Sequence, residues 1–143
     1  MSNKKITYGE VWKTLRAIDT TKIQYKKSGL DYIAWADAWA CLMDHYPEAT
    51  YEFPTPAFYG TPENTTCEVN CKVTIGELSR ELSLPVMTSM MPMKSIVSPT
   101  SRDINDAKVR CLVKVLAFFG LGLHLWEKKK SSSSAPSSDE MPF

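Results

Sequence analysis

No apolar run in this 143-residue chain approaches the roughly 18–20 residues that a membrane-crossing helix requires. The opening stretch, MSNKKITYGEVW, has no apolar h-region of the kind a signal peptide carries. The catalytic and nucleotide-cradling spacings GxGxxG, GxxxxGKS/T, GxSxG and HExxH are all missing. The two histidines, His45 and His124, stand apart from any nucleophile or carboxylate constellation, so both read as structural. These absences argue against an enzyme and imply no cofactor. Four cysteines are present but no C-x2-C pair, and a cytosolic chain keeps its thiols reduced. Cys67 and Cys71 lie in TTCEVNCKVTI, an alternating strand in which i and i+4 are about 13 Å apart, too far to share one metal ion. Cys41 and Cys111 fall in helical patterns, where a free thiol behaves as a small buried hydrophobe.

Net charge is also nearly lacking, at +1, yet that total conceals segregation. Residues 1–30 carry +5, residues 31–81 carry −7, residues 82–130 carry +5 and the remainder −2. Such blocks suit a basic groove on an acidic body, or head-to-tail pairing of identical subunits.

The pattern predicts an α+β domain in one piece. After frayed residues 1–5, the apolar spacing of Val11, Leu15 and Ile18 predicts a helix over Tyr8–Ile18. A basic connector, Lys22–Gly29, leads to a second helix carrying Trp35, Trp39, Leu42, Met43 and Tyr46 and stopped by Pro47. Trp35 and Trp39, four residues apart on this apolar stretch, are expected in the core. A strand follows around Thr50–Phe53, ended by Pro54 and Pro56, then a loop to Asn64. Thr66–Ile75 alternates with Cys67, Val69, Cys71, Val73 and Ile75 inward, turns at Gly76-Glu77, and returns as Ser79–Met87 with Leu82, Leu84 and Val86 on one face. A methionine-rich loop, with Met87, Met90, Met91 and Met93, runs to Thr100. The expected architecture is two N-terminal helices, a three-stranded antiparallel sheet built on a β-hairpin, and a long basic helix, giving a β-β-β-α core within residues 1–127. Residues 128–143, KKKSSSSAPSSDEMPF, have linker composition and are expected to be a disordered tail with an acidic Pro-Phe tip.

That basic helix begins near Ser101. Asp103 reads as its N-cap, and Gly120 falls where a left-handed residue would end it. Ile104, Cys111, Val115 and Phe118 share a narrow apolar arc, while Arg110 and Lys114 are i,i+4 neighbours on the opposite side. A rigid helix presenting cations suits nucleic-acid phosphates. Lys94, Arg102 and Lys108 belong to the same basic third of the chain. Tyr25 beside Lys26 and Lys27 combines aromatic and basic character, as a stacking platform for single strands requires.

The segments YIAWADAWACLMDHYPEATYEF, LSLPVM and SRDINDAKVRCLVKVLAFFGLGLHLW resemble the phage single-strand annealing proteins of the Sak kind. They are more distantly similar to the eukaryotic recombination mediators with a β-β-β-α core. The resemblance runs from about Leu30 to Trp126 and is strongest over Arg110–Leu123. It implies ATP-independent annealing of complementary strands by a homo-oligomeric ring or helix in the cytoplasm of a bacterial host. It also implies single-stranded DNA in a basic groove beside the helix, Arg110 and Lys114 on the phosphates, and the hairpin as the other wall. The eukaryotic relatives carry a further basic residue one turn after the Lys114 position, where this chain has Ala117.

The last residues, Asp139, Glu140, Met141, Pro142 and Phe143, resemble the acidic tip of bacterial single-stranded DNA-binding proteins, which docks into repair enzymes. By that likeness the tip would reach a phage exonuclease or a host repair protein, or fold back on the basic groove. Two other readings remain open on sequence alone: a protein that only protects single strands, and an oligomeric scaffold that recruits a nuclease or helicase. RNA as a second substrate is also open.

Overall fold

A computed structural model of the chain describes residues 5–27, 30–88 and 92–127. Thr7 starts the first helix, α1 (Tyr8–Arg16), its hydroxyl accepting from the Glu10 N–H at 3.1 Å. Val11 and Leu15 are its fully buried residues, and the helix ends two residues before Ile18.

The predicted basic connector is a β-hairpin instead. β1 (Gln24–Lys27) pairs antiparallel with β2 (Leu30–Ile33), which takes the first turn of the expected second helix. Cross-strand partners decide this: Tyr25 stacks on Tyr32 and Lys26 meets Asp31 at 3.4 Å. Such pairs contribute about 0.2–1 kcal/mol each and cannot be seen in the local pattern of either segment. The second helix, α2 (Trp35–His45), turns Ala38 and Leu42 into the core. Trp35, expected in the core, is 48% exposed at the first position of that helix. Trp39 is half-buried, its ring edge-on to Tyr51 with centroids 5.0 Å apart.

The main sheet has four strands, not three. β3 (Thr50–Glu52) and β4 (Ala57–Tyr59) share one side of β5 (Thr66–Ile75), and β6 (Leu78–Pro85) pairs on the other. Glu52 faces Lys72, so an unbroken strand would set residue 57 opposite Cys67, yet Ala57 faces Glu68. The register slips by one residue across Phe53–Pro56, where Pro54 and Pro56 offer no N–H to a ladder. β4 thus falls inside what the sequence marks as a loop, too short for alternation to show.

β5 follows its predicted bounds, with Cys67, Val69, Cys71, Val73 and Ile75 all at 2% exposure or less. Over this face lies α3 (Ser101–Phe118), burying Ala107, Cys111, Leu112, Val115, Leu116 and Ala117. Its N-cap is Thr100, three residues earlier than expected. Thr100 and Asp103 form a reciprocal capping box, with N–H to oxygen distances of 3.1 and 2.9 Å. The apolar face is wider than the predicted arc: Ile104 is only partly buried, Phe118 is 41% exposed, and the next residue, Phe119, fills the core.

The helix closes with the hydrogen bonds of a Schellman motif, Leu121 N–H to the Leu116 carbonyl and Gly120 N–H to the Ala117 carbonyl. Gly120 has φ +119°, and a Cβ there would stand 3.0 Å from the Trp12 carbonyl oxygen. Two constraints therefore require glycine, backbone conformation and the close approach of α1. A short 3-10 turn, Leu123–Leu125, completes the described fold. There His124 Nε2 lies 2.9 Å from the hydroxyl of buried Thr20, which donates to Gln24 at the base of the β1–β2 hairpin. No described helix is long and apolar enough to cross a membrane. The expected tail lies outside the described residues.

Candidate nucleic-acid interface

Two contacts and a ring approach orient α3 over the sheet. An Arg110 Nη2 donates to the Met87 carbonyl at 3.0 Å, Cys111 Sγ lies 3.3 Å from the Leu82 carbonyl, and the Arg80 guanidinium stands 6.0 Å from the Phe119 ring centre. As residue numbers rise along α3 they fall along β6, so helix and strand run antiparallel. On a helix of about 3.6 residues per turn, Arg110, Lys114 and Phe118 form one i, i+4, i+8 ridge. Arg110 fixes that ridge to the β6 flank.

The cations of this ridge are held, not loose. Arg110 is partly buried and uses one of its five N–H donors on Met87. Among the described residues no carboxylate lies within 4.0 Å of it. Lys114 is also partly buried, and desolvation lowers its pKa from the ordinary lysine value while the Cys111 thiol nearby opposes the shift. A phosphate placed beside Lys114 would favour its charged form. Beneath the ridge, burial pushes the Cys71 and Cys111 thiols up to about 12 and 11, so both remain neutral apolar filling at physiological pH.

The remaining sequence candidates divide. Lys94 is exposed at the Arg110 end. Its carbonyl accepts from Thr88 N–H at 2.8 Å, next to a bridge that pairs Met87 with Ser95. Lys108 lies about 160° round the helix from Arg110 and stands 5.7 Å over the Phe53 ring, on the β3 side. Arg102 is exposed in the first turn, about 80° from Arg110. These two do not join the ridge. Tyr25 and Lys26 belong to the β1–β2 hairpin, where Tyr25 is 47% exposed and Lys26 is paired with Asp31. No hydrogen bond, ion pair or ring contact among the described residues joins that hairpin to Arg110. The side chain of Lys27 and the tip Asp139–Phe143 lie outside the described residues. So do Met90 and Met91, whereas Met87 packs against the core.

Sequence reasoning missed two exposed groups on the same flank, Phe118 and Arg80. Phe118 was counted as core because a 100° step does not separate it from Val115 sharply enough. Arg80 had a visible signal: it interrupts the every-second-residue series Leu78, Leu82, Leu84 on β6. Ala117, one turn after Lys114, is 1% exposed, so the ridge continues through Phe118 and not through that position. Among the described residues no group of three or more His, Cys, Asp or Glu is placed to hold a metal ion.

Comparison with known protein families returns one described as Sak Single Strand Annealing Protein, whose model matches residues 10–140. A search among curated proteins gave no match.

Proposed function

The chain belongs to the Sak single-strand annealing protein family, and from that premise we propose that it grips single-stranded DNA by its phosphates along the Arg110–Lys114 ridge. Single-strand annealing, recombination and DNA binding come with the family. The groove, its residues and the assembly of copies are this proposal's own content. The observation that carries it is the ridge itself: a guanidinium and an ammonium one helical turn apart, about 6 Å along the axis, on a helix capped at both ends. Phosphate contacts position a strand without reading its sequence, and they leave base edges free to pair. A strand held this way needs no nucleotide to be matched with its complement. Lys94 extends the cationic surface at the Met87 end, and Phe118 supplies a ring face at the other, suited to sequence-tolerant stacking. One subunit spans few nucleotides, so annealing proceeds on many copies arranged as a homo-oligomer. The acidic body and basic flank give such copies complementary faces.

The test is to mix complementary oligonucleotides without ATP and follow pairing with and without the protein. Accelerated pairing is expected, and its loss in Arg110→Ala/Lys114→Ala. A protein that merely protects strands would slow pairing, and a scaffold would leave the rate unchanged. Undiminished binding by the double variant would reject the ridge.

A further inference from the structure

Arg80 stands where its strand should carry an apolar side chain. The pairs Ile75 with Leu78, Val73 with Arg80, Cys71 with Leu82 and Val69 with Leu84 set Arg80 on the face that the helices cover. A cation there would be costly if buried. It is not buried, because this end of β6 lies at the C-terminal end of α3, where Phe119 caps the helix. The Arg80 guanidinium carbon lies 4.3 Å from the centre of the Tyr8 ring. That ring is itself fastened: the Tyr8 hydroxyl donates to the Ser79 carbonyl at 3.1 Å and accepts from the Ser79 N–H at 3.2 Å. Stacking on a ring face orders a guanidinium while leaving its in-plane N–H donors available. Among the described residues no carboxylate lies within 4.0 Å to occupy them. A cation with its geometry fixed and its donors unclaimed by an anion is prepared for one.

Its place gives the anion's identity. Phe119 follows Lys114 by five residues, about 7.5 Å further along the helix axis and about 140° round it, and Arg80 reaches its ring from β6. Arg110, tied beside the Met87 end of β6, and Arg80, near the hairpin end of that strand, thus mark its two ends, with Lys114 between them along the helix axis. Resting on the single-strand reading above, we infer that Arg80, held over Tyr8, is a third phosphate contact that carries the track past Lys114 to the hairpin end of β6. Tyr8 is a positioning residue, acting through Arg80.

The experiment is anisotropy titration of the full chain with fluorescein-labelled oligothymidylate over a range of salt, with thermal unfolding of each variant. Removing one phosphate contact lowers the slope of log affinity against log salt by about 0.7 for a single strand. Arg80→Ala is expected to show that loss, and Arg80→Lys to recover most of it by returning the charge. Tyr8→Phe keeps the ring but loses both Ser79 bonds, so it should weaken binding with the slope kept. If Arg80→Ala fails to fold, Arg80→Gln replaces it. Unchanged affinity and slope in a folded Arg80 variant, with Arg110→Ala/Lys114→Ala still weakened, would leave Arg80 as a clamp on Tyr8 and overturn this inference alone. Unchanged binding in every variant would overturn the ridge reading and this inference together.

Discussion

The two flanks of α3 use the same kind of residue for different ends. On the β3 flank, Lys108 lies over the Phe53 ring beside the edge-on Tyr51–Phe53 and Trp39–Tyr51 contacts. There an ammonium covers aromatic surface, and its value is packing. On the β6 flank, Arg110 is tied to a backbone carbonyl and Lys114 is half-buried, with the exposed Phe118 ring next in line. A charge count treats all these cations alike. The helical angle separates them, because about 160° of rotation parts Lys108, over its aromatic partner, from Arg110, tied to the Met87 carbonyl.

The largest effect should come from a change that removes the frame of both flanks. Gly120→Ala forces a side chain into φ +119° and toward the Trp12 carbonyl. A stability loss of about 2 kcal/mol is expected, read as a lower midpoint in thermal or urea unfolding. DNA binding should fall in parallel. An unshifted midpoint would mean that α1 and the end of α3 can separate freely.

Lys114→Ala against Lys108→Ala tests the comparison directly. Lys114→Ala should weaken oligothymidylate binding and lower the salt slope by about 0.7. Lys108→Ala should keep the slope and cost about 0.5–1 kcal/mol of stability, the worth of a cation over a ring at a partly exposed site. Equal slopes in the two variants would erase the distinction between flanks.

The core below the ridge responds to pH. Burial raises the Cys71 and Cys111 thiols from 9.0 to about 12 and 11, so the folded state favours their neutral forms. Above pH 9 the unfolded chain releases thiol protons that the folded chain keeps. Their contribution is therefore complete below pH 9 and is lost as pH rises toward 11 and 12. Unfolding midpoints followed from pH 8 to 11 should decline, and more gently in Cys71→Ala/Cys111→Ala. An equal decline in both proteins would place the pH dependence elsewhere.

The smallest effect expected is from the tail. Deleting residues 139–143 removes Asp139 and Glu140. If the tip competes for the basic flank, single-strand affinity should tighten modestly at low salt and not at high salt. Unchanged affinity at low salt would exclude that competition.

What could be read in advance was whatever repeats within one element. β5 alternates over ten residues, and α3 keeps its period long enough to show that Arg110 and Lys114 are neighbours. The β1–β2 hairpin was hidden because its reasons are cross-strand: Tyr25 needs Tyr32, and Lys26 needs Asp31. β4 is three residues long and borrows its order from β5. Trp35, at the first position of α2, satisfies the apolar period and still lies outside the layer that would cover it, whereas Phe118 sits between buried Ala117 and Phe119, too close in angle to Val115 for the period to tell them apart. Arg80 needed two facts at once, its register on β6 and the point where α3 stops.

The slipped register between β3 and β4 has a consequence for crowding. An unpaired sheet edge is open to runaway strand addition. An incoming strand laid along this edge would meet two prolines and then find its side chains switched from one face to the other. No continuous strand can template on it for more than three residues at a stretch. The broken edge therefore acts as a gatekeeper against strand-to-strand aggregation.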